Sequence, residues 1–183
     1  MTVDENWFAL RTYFSQENKV GAHLDNYQLS WFIPMRGKPS NAKQESDAQN
    51  KTQKSKPFVH NLIFIKQPDD VNILKKALAE CPYSTSMYRQ SNGIDWCVIS
   101  GKDILELRII CDQTFTEPIF ITEEDAKLKV GRYVMVVHGQ LSGIHGKLVR
   151  KNKKYYVLKT MVTGMSVMVA VSRWCCVPMD EPD

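Results

Sequence analysis

The chain has 183 residues, 43% hydrophobic and 24% charged, an ordinary composition with room for one domain or two small ones. Its longest strictly aliphatic or Met run, Val167-Met168-Val169-Ala170-Val171, falls far short of the roughly 20 residues that span a bilayer. The opening MTVDEN has no basic segment followed by an apolar one, so neither a membrane nor a secreted protein is expected.

Net charge is +4, from 24 basic and 20 acidic residues, too mild for a protein that coats nucleic acid electrostatically. The five cysteines are odd in number and form no C-x-x-C, which fits reduced thiols in the cytoplasm.

In chain order, Trp7-Phe8-Ala9-Leu10-Arg11-Thr12-Tyr13-Phe14 is aromatic and predicts a strand. Ser15 is placed to cap a following helix, where Val20, Leu24 and Tyr27 recur at helical spacing. Strand signals at Leu29–Met35 and Phe58–Lys66 flank residues 36–57, which contain no large apolar side chain. Such a stretch cannot bury enough surface to offset its ordering entropy, so a flexible loop at a hairpin tip is expected. Pro68-Asp69-Asp70 starts a second helix with Val71, Leu74 and Leu78 on one stripe. Extended pieces at Ser84–Tyr88 and Asp95–Ile99 flank the turn Asn92-Gly93. Ser100-Gly101-Lys102-Asp103 reads as a capping box for a third helix, Ile104–Cys111. This order predicts an α+β fold with helices packed on an antiparallel sheet.

From about Gln113 the pattern changes. A connector through Thr122-Glu123-Glu124-Asp125 leads to short strands at Tyr133–Val137, Lys147–Arg150, Tyr155–Thr160 and Val167–Val171. Turns at His138-Gly139, Lys151–Lys154 and Thr163-Gly164 separate them, which predicts a small β-barrel. The expected organisation is a domain over 1–112, a linker over 113–126 and a barrel over 127–183.

Within the second part, Val130-Gly131-Arg132-Tyr133-Val134-Met135-Val136-Val137-His138-Gly139 continues through Gly143-Ile144-His145-Gly146-Lys147-Leu148-Val149. This glycine-punctuated alternation resembles a KOW motif. In the first part, the Trp7–Tyr13 strand followed by Glu17-Asn18-Lys19-Val20 resembles the opening of the NusG N-terminal domain. Trp31-Phe32-Ile33-Pro34-Met35, Phe58-Val59-His60-Asn61-Leu62-Ile63-Phe64-Ile65 and Cys97-Val98-Ile99-Ser100 are similar to its later strands. Together these cover nearly the whole chain and resemble the NusG family, in wording closest to its UpxY-like and RfaH-like antitermination paralogues.

The resemblance implies an NGN α/β sandwich followed by a KOW SH3-like β-barrel, in a transcription elongation factor without enzymatic chemistry or cofactor. It implies that the first domain binds the clamp helices of the largest RNA polymerase subunits, suppresses pausing and termination, and touches the non-template DNA strand. The KOW barrel then recruits Rho or a small-subunit ribosomal protein, an effectively intramolecular contact once tethered. The same wording suggests service to polysaccharide-type operons, and a monomer. A housekeeping NusG that assists Rho, or a ribosome-associated KOW module that binds RNA, are the alternatives.

By that resemblance Trp7, Tyr13, Phe58, Leu62 and Phe64 supply the apolar surface that receives a polymerase helix. Strand alternation would also send about half of such side chains into the core. Leu62 stands where relatives often carry an aromatic, and His60 where Pro is common. Phe14, Gln16, Lys19 and His23, with Arg89 from a later loop, are the DNA-binding candidates; a solvated helix face is the plainer alternative. Met161, Val162 and Met165 lie near the partner-contact turn of the barrel, and could equally be its core. Arg150-Lys151-Asn152-Lys153-Lys154 reads as a solvated turn, with weak RNA attraction as the alternative. His23, His60, His138 and His145 form no metal-ligand spacing, and no nucleophile, P-loop or dinucleotide motif occurs. Val, Tyr and Thr in the later segments favour a stable barrel over helices. The first domain carries 14 basic and 13 acidic residues, and residues 113–183 carry 10 and 7.

Overall fold

Strand β1 (Asn6–Thr12) buries Trp7, Phe8, Ala9 and Leu10 in succession, the pattern of a strand covered on both faces. In the computed structural model it is the hub of a five-stranded antiparallel sheet. The structure describes residues 5–35, 57–90, 92–111, 118–160 and 165–181. Helix α1 (Glu17–Asp25), β2 (Trp31–Phe32), β3 (Leu62–Lys66), α2 (Val71–Ala79), β4 (Thr85–Met87), β5 (Val98–Ser100) and α3 (Gly101–Cys111) follow. The sheet order is β2-β3-β1-β4, and β5 also pairs with β1. β5 takes Asn6–Phe8 and β4 takes Leu10–Thr12, so two short strands complete β1 end to end.

One sheet face carries Phe8, Leu10, Ile63 and Ile65, packed with Val20 and Leu24 of α1 and Leu74 and Ala77 of α2. The other carries Trp7, Ala9, Leu62, Phe64 and Ile99, also buried. On α1, Gly21 is required by a close approach. A methyl there would meet the Trp31 ring at 2.7–2.9 Å, and the indole N–H donates to Asp25 at 2.7 Å.

Several expected elements are shorter, for local reasons. β2 stops at Phe32 because Pro34 has no N–H to offer; the Pro34 carbonyl instead accepts the Phe58 N–H at 2.8 Å. β3 begins only at Leu62, since Asn61 takes a left-handed φ of 63° that no strand continues through. Ser15 does not cap α1: it is itself left-handed (φ 53°), and Gln16 occupies the N-cap without a side-chain bond. Asp70 caps α2 through the Asn72 N–H at 2.9 Å. Ser100 Oγ accepts the Asp103 N–H at 3.1 Å and donates to its carboxylate at 2.7 Å. α3 accordingly starts three residues before the expected Ile104. The anticipated loop over 36–57 lies, except for Pro57, outside the described residues.

The second sheet comprises β6 (Ile119–Thr122), β7 (Arg132–Val136), β8 (His145–Lys151), β9 (Lys154–Thr160), β10 (Met165–Val171) and β11 (Cys176–Pro178). A short helix α4 (Glu123–Lys127) follows β6, capped by Thr122 Oγ1 on the Asp125 N–H, and a 3₁₀ turn (Arg173–Cys175) precedes β11. The order is β11-β7-β8-β9-β10-β6, antiparallel throughout. Among the described residues between 132 and 178 the regular elements are strands, apart from the 3₁₀ turn. β6 and α4 occupy part of the stretch read as a connector, because Ile119 and Ile121 pack on the cluster of Ala126, Val149, Leu158 and Met168. The opposite face buries Val134, Val136, Val157, Val167 and Val169. Gly146 brings β8 so close to β9 that an added Cβ would collide with the Leu158 carbonyl oxygen.

The described residues divide into two compact units, 5–35 with 57–107, and 108–181. Among them, no helix is long and apolar enough to cross a membrane.

Candidate nucleic-acid and protein interface

The β1–α1 turn reverses through two consecutive left-handed residues, Phe14 (φ 57°) and Ser15 (φ 53°). That conformation costs a non-glycine residue on the order of 1–2 kcal/mol, so something must hold it. Asn61 does so from across the sheet. Its carbonyl accepts the Thr12 N–H at 3.0 Å, its side-chain oxygen accepts the Ser15 N–H at 3.0 Å, and its own N–H donates to the Glu17 carboxylate. The result is Phe14 presented to solvent, 84% exposed.

Around it, the Arg11 guanidinium lies 5.5 Å from the Tyr13 ring centroid, and Tyr13 Oη shares a 3.2 Å hydrogen bond with Ser86. Lys19 Nζ sits 5.8 Å from the Tyr83 ring centroid. Each is a cation on an aromatic face, Arg11 on the Trp7 face of the sheet and Lys19 on the helix-covered face. Such pairs can offer a nucleic acid both stacking and phosphate attraction. Gln16 is half-buried, and its carbonyl accepts from Lys19 and Val20.

The remaining DNA candidates are engaged elsewhere. His23 Nε2 meets the Ala77 carbonyl at 2.9 Å; a carbonyl only accepts, so Nε2 carries the proton and ties α1 to α2. Arg89 donates to the carbonyls of Ile94 (2.7 Å) and Gly93 (3.3 Å), closing its own loop. Sequence reasoning missed Arg11 and Tyr83 beside the turn, and Glu17 and Asn61 as the groups that brace it. Arg11 was signalled by being the one charge in an apolar strand, and Asn61 by the tolerance of Asn for left-handed backbone.

Of the protein-binding candidates, Trp7 (1% exposed), Leu62 (1%) and Phe64 (0%) share one sheet face, and the Phe64 ring stacks on Phe32 at 6.2 Å. Tyr13 and Phe58 are half-buried. Met161 and Val162 lie outside the described residues; Met165 is the first residue of β10, paired with Thr122. Among the described residues no group of three His, Cys, Asp or Glu is placed to hold a metal ion. Burial raises the Cys97 thiol above its ordinary pKa, and burial with the neighbouring Cys175 raises Cys176.

The architecture is that of a mixed α/β unit with an antiparallel sheet, followed by a β-rich, KOW-like unit. Residues 5–108 match the family model described as NusG, transcription termination factor nusG, which spans more than half of the chain. The chain therefore belongs to the NusG family, whose members are non-enzymatic transcription factors that bind RNA polymerase. Its fold is similar to a solved structure described as "Domain interaction in Thermotoga maritima NusG". That likeness covers 97% of this chain and 98% of the other, with a TM-score of 0.50 and 14% identity. No match was found among curated proteins.

Proposed function

We propose that this chain is an elongation factor of the antiterminator kind, carried on RNA polymerase by residues 1–112, linked through 113–126 to a partner-recruiting barrel at 127–183. The family match over residues 5–108 carries this reading, because it takes in both the Phe14 turn and the Trp7–Phe64 sheet face. In this reading Trp7, Tyr13, Phe58, Leu62 and Phe64 receive the clamp helices. Trp7, Leu62 and Phe64 are closed to solvent, so engagement requires that their face be uncovered first. Phe14 stacks on an unpaired non-template base, with Lys19 and Gln16 beside it, while His23 and Arg89 hold the surface in shape. Met161, Val162 and Met165 contact Rho or a small-subunit ribosomal protein. The sequence wording supports the UpxY-like and RfaH-like subtype, hence polysaccharide-type operons, and the family is cytoplasmic.

Transcription in vitro through candidate leader regions tests this. Added protein should lengthen transcripts and reduce pausing, and unchanged pausing and polymerase retention at saturation would overturn it. The family model's description as a termination factor favours a second reading, a housekeeping role with Rho. That role has the opposite sign: with Rho present, the protein shortens transcripts.

A further inference from the structure

Trp174 is 92% exposed, an unusual position for the largest apolar side chain. It stands in the 3₁₀ turn after β10 and lines an open groove of ≈ 460 Å³ with Lys154, Tyr155, Ser172 and Arg173. Register explains the grouping: Arg150 pairs with Tyr155, and Tyr155 with Val171, in one row across β8, β9 and β10. Both Arg150 and Arg173 place their guanidiniums over the single Tyr155 ring, at 5.6 and 5.9 Å from its centroid. The β8–β9 turn beside them adds Lys151, Lys153 and Lys154, all exposed, and is tightened by left-handed Asn152 (φ 49°) and Lys153 (φ 64°). The stretch of sequence that builds this surface is one-signed, although Glu181 from beyond it pairs with Lys147 of β8 at 3.6 Å. Residues 126–179 contain ten Lys and Arg and neither Asp nor Glu. The acids of this half of the chain lie before and after that stretch, which is why its net charge looks mild.

We propose that this end of the barrel is a second binding surface, for single-stranded RNA, with a base stacked on Trp174 and phosphates held by Arg150, Arg173 and the turn lysines. The core of a protein interface is depleted of lysine, whereas here Lys154 lines the groove with the indole and Lys151 and Lys153 follow in the adjoining turn. A duplex buries its base faces, so a single exposed indole selects an unpaired strand. Ser172 lines the same groove, and a serine hydroxyl can both donate to and accept from a 2′-OH. The surface lies at the opposite end of β9 and β10 from Thr160 and Met165, so a contact at that end would leave it open. The proposal rests on the elongation-factor reading only for the source of the strand, the emerging transcript.

The test is fluorescence anisotropy of a short labelled single-stranded RNA with the intact chain, without polymerase. Trp174→Ala should weaken binding roughly 5- to 150-fold, the range for removing one base stack, while Trp174→Phe keeps most of it. Paired Arg150→Gln and Arg173→Gln should lower the slope of log affinity against log salt by about 0.7 for each phosphate no longer neutralised. DNA of the same sequence should bind more weakly. Wild-type affinity in Trp174→Ala, or equal affinity for DNA, would overturn the assignment. Absence of RNA binding at low salt would do so too, and would leave the face to a protein partner. Because polymerase is absent, either result leaves the elongation-factor reading standing or falling on its own assay.

Discussion

The backbone N–H of Asn61 donates to the carboxylate of Glu17, a residue 44 positions away in sequence and 3% exposed. This bond joins the start of β3 to the first turn of α1 and fixes the strained loop between β1 and α1. Glu17→Ala strands a poorly accessible N–H, which costs about 1–3 kcal/mol. Urea unfolding should show that loss, and Glu17→Gln, which keeps an acceptor oxygen, should recover most of it.

Phe14 separates stability from binding. Its side chain is 84% exposed, so Phe14→Ala should change stability by no more than about 0.5 kcal/mol. Phe14→Gly relieves a left-handed strain of about 1–2 kcal/mol and adds about 0.5–1 kcal/mol of unfolded-chain entropy. Relief wins, and the glycine variant should melt at or above wild type. Both variants should lose crosslinking to the non-template strand in a stalled elongation complex, if the proposed contact is made.

At Gly21 two effects oppose each other. Alanine raises helix propensity by about 1 kcal/mol, but its methyl would overlap the Trp31 ring, which cannot move without releasing Asp25. Overpacking of about 1–3 kcal/mol should prevail. Gly21→Ala is expected to lower the denaturation midpoint and shift Trp emission to the red.

Tyr27 donates its phenolic proton to Glu80, and that hydrogen bond is the main reason its pKa is raised above the ordinary value of 10.0. A raised pKa means that the protonated form is favoured on folding. The contribution is complete below pH 10 and disappears as pH climbs through the folded-state value. Absorbance titration at alkaline pH should show Tyr27 ionising late, and Glu80→Gln should move it back toward its ordinary value.

Much of the fold was legible because hydrophobic period and turn chemistry agree in it. The apolar run Leu62–Ile65, the Asp70 cap and the Ser100–Asp103 box each specify their element locally. The left-handed Phe14 and Ser15 were not legible, since their conformation depends on a hydrogen-bond network that closes only when β3 meets β1. β6 and β11 were missed for a related reason. Ile119–Thr122 and Cys176–Pro178 are too short to show a period, and become strands because β10 and β7 offer them edges. At the candidate site, Phe14 and Lys19 could be read as surface groups. That His23 and Arg89 would spend their donors on backbone carbonyls could not, because the Ala77 carbonyl comes from another helix and those of Gly93 and Ile94 are aimed only once their loop has closed.

Because β4 and β5 abut along one edge of β1, the excursion between them is a cassette. Its neck is closed by the Arg89–Trp96 bridge and the Gln90–Asp95 hydrogen bond, and Trp96 anchors it edge-on to Phe8 at 5.3 Å. Described residues beyond that neck add nothing to the buried core. The tip can therefore be exchanged for one of another length without shifting any pair in the central strand. A lineage of such factors has, in this loop, a place to acquire new specificity at little risk to folding.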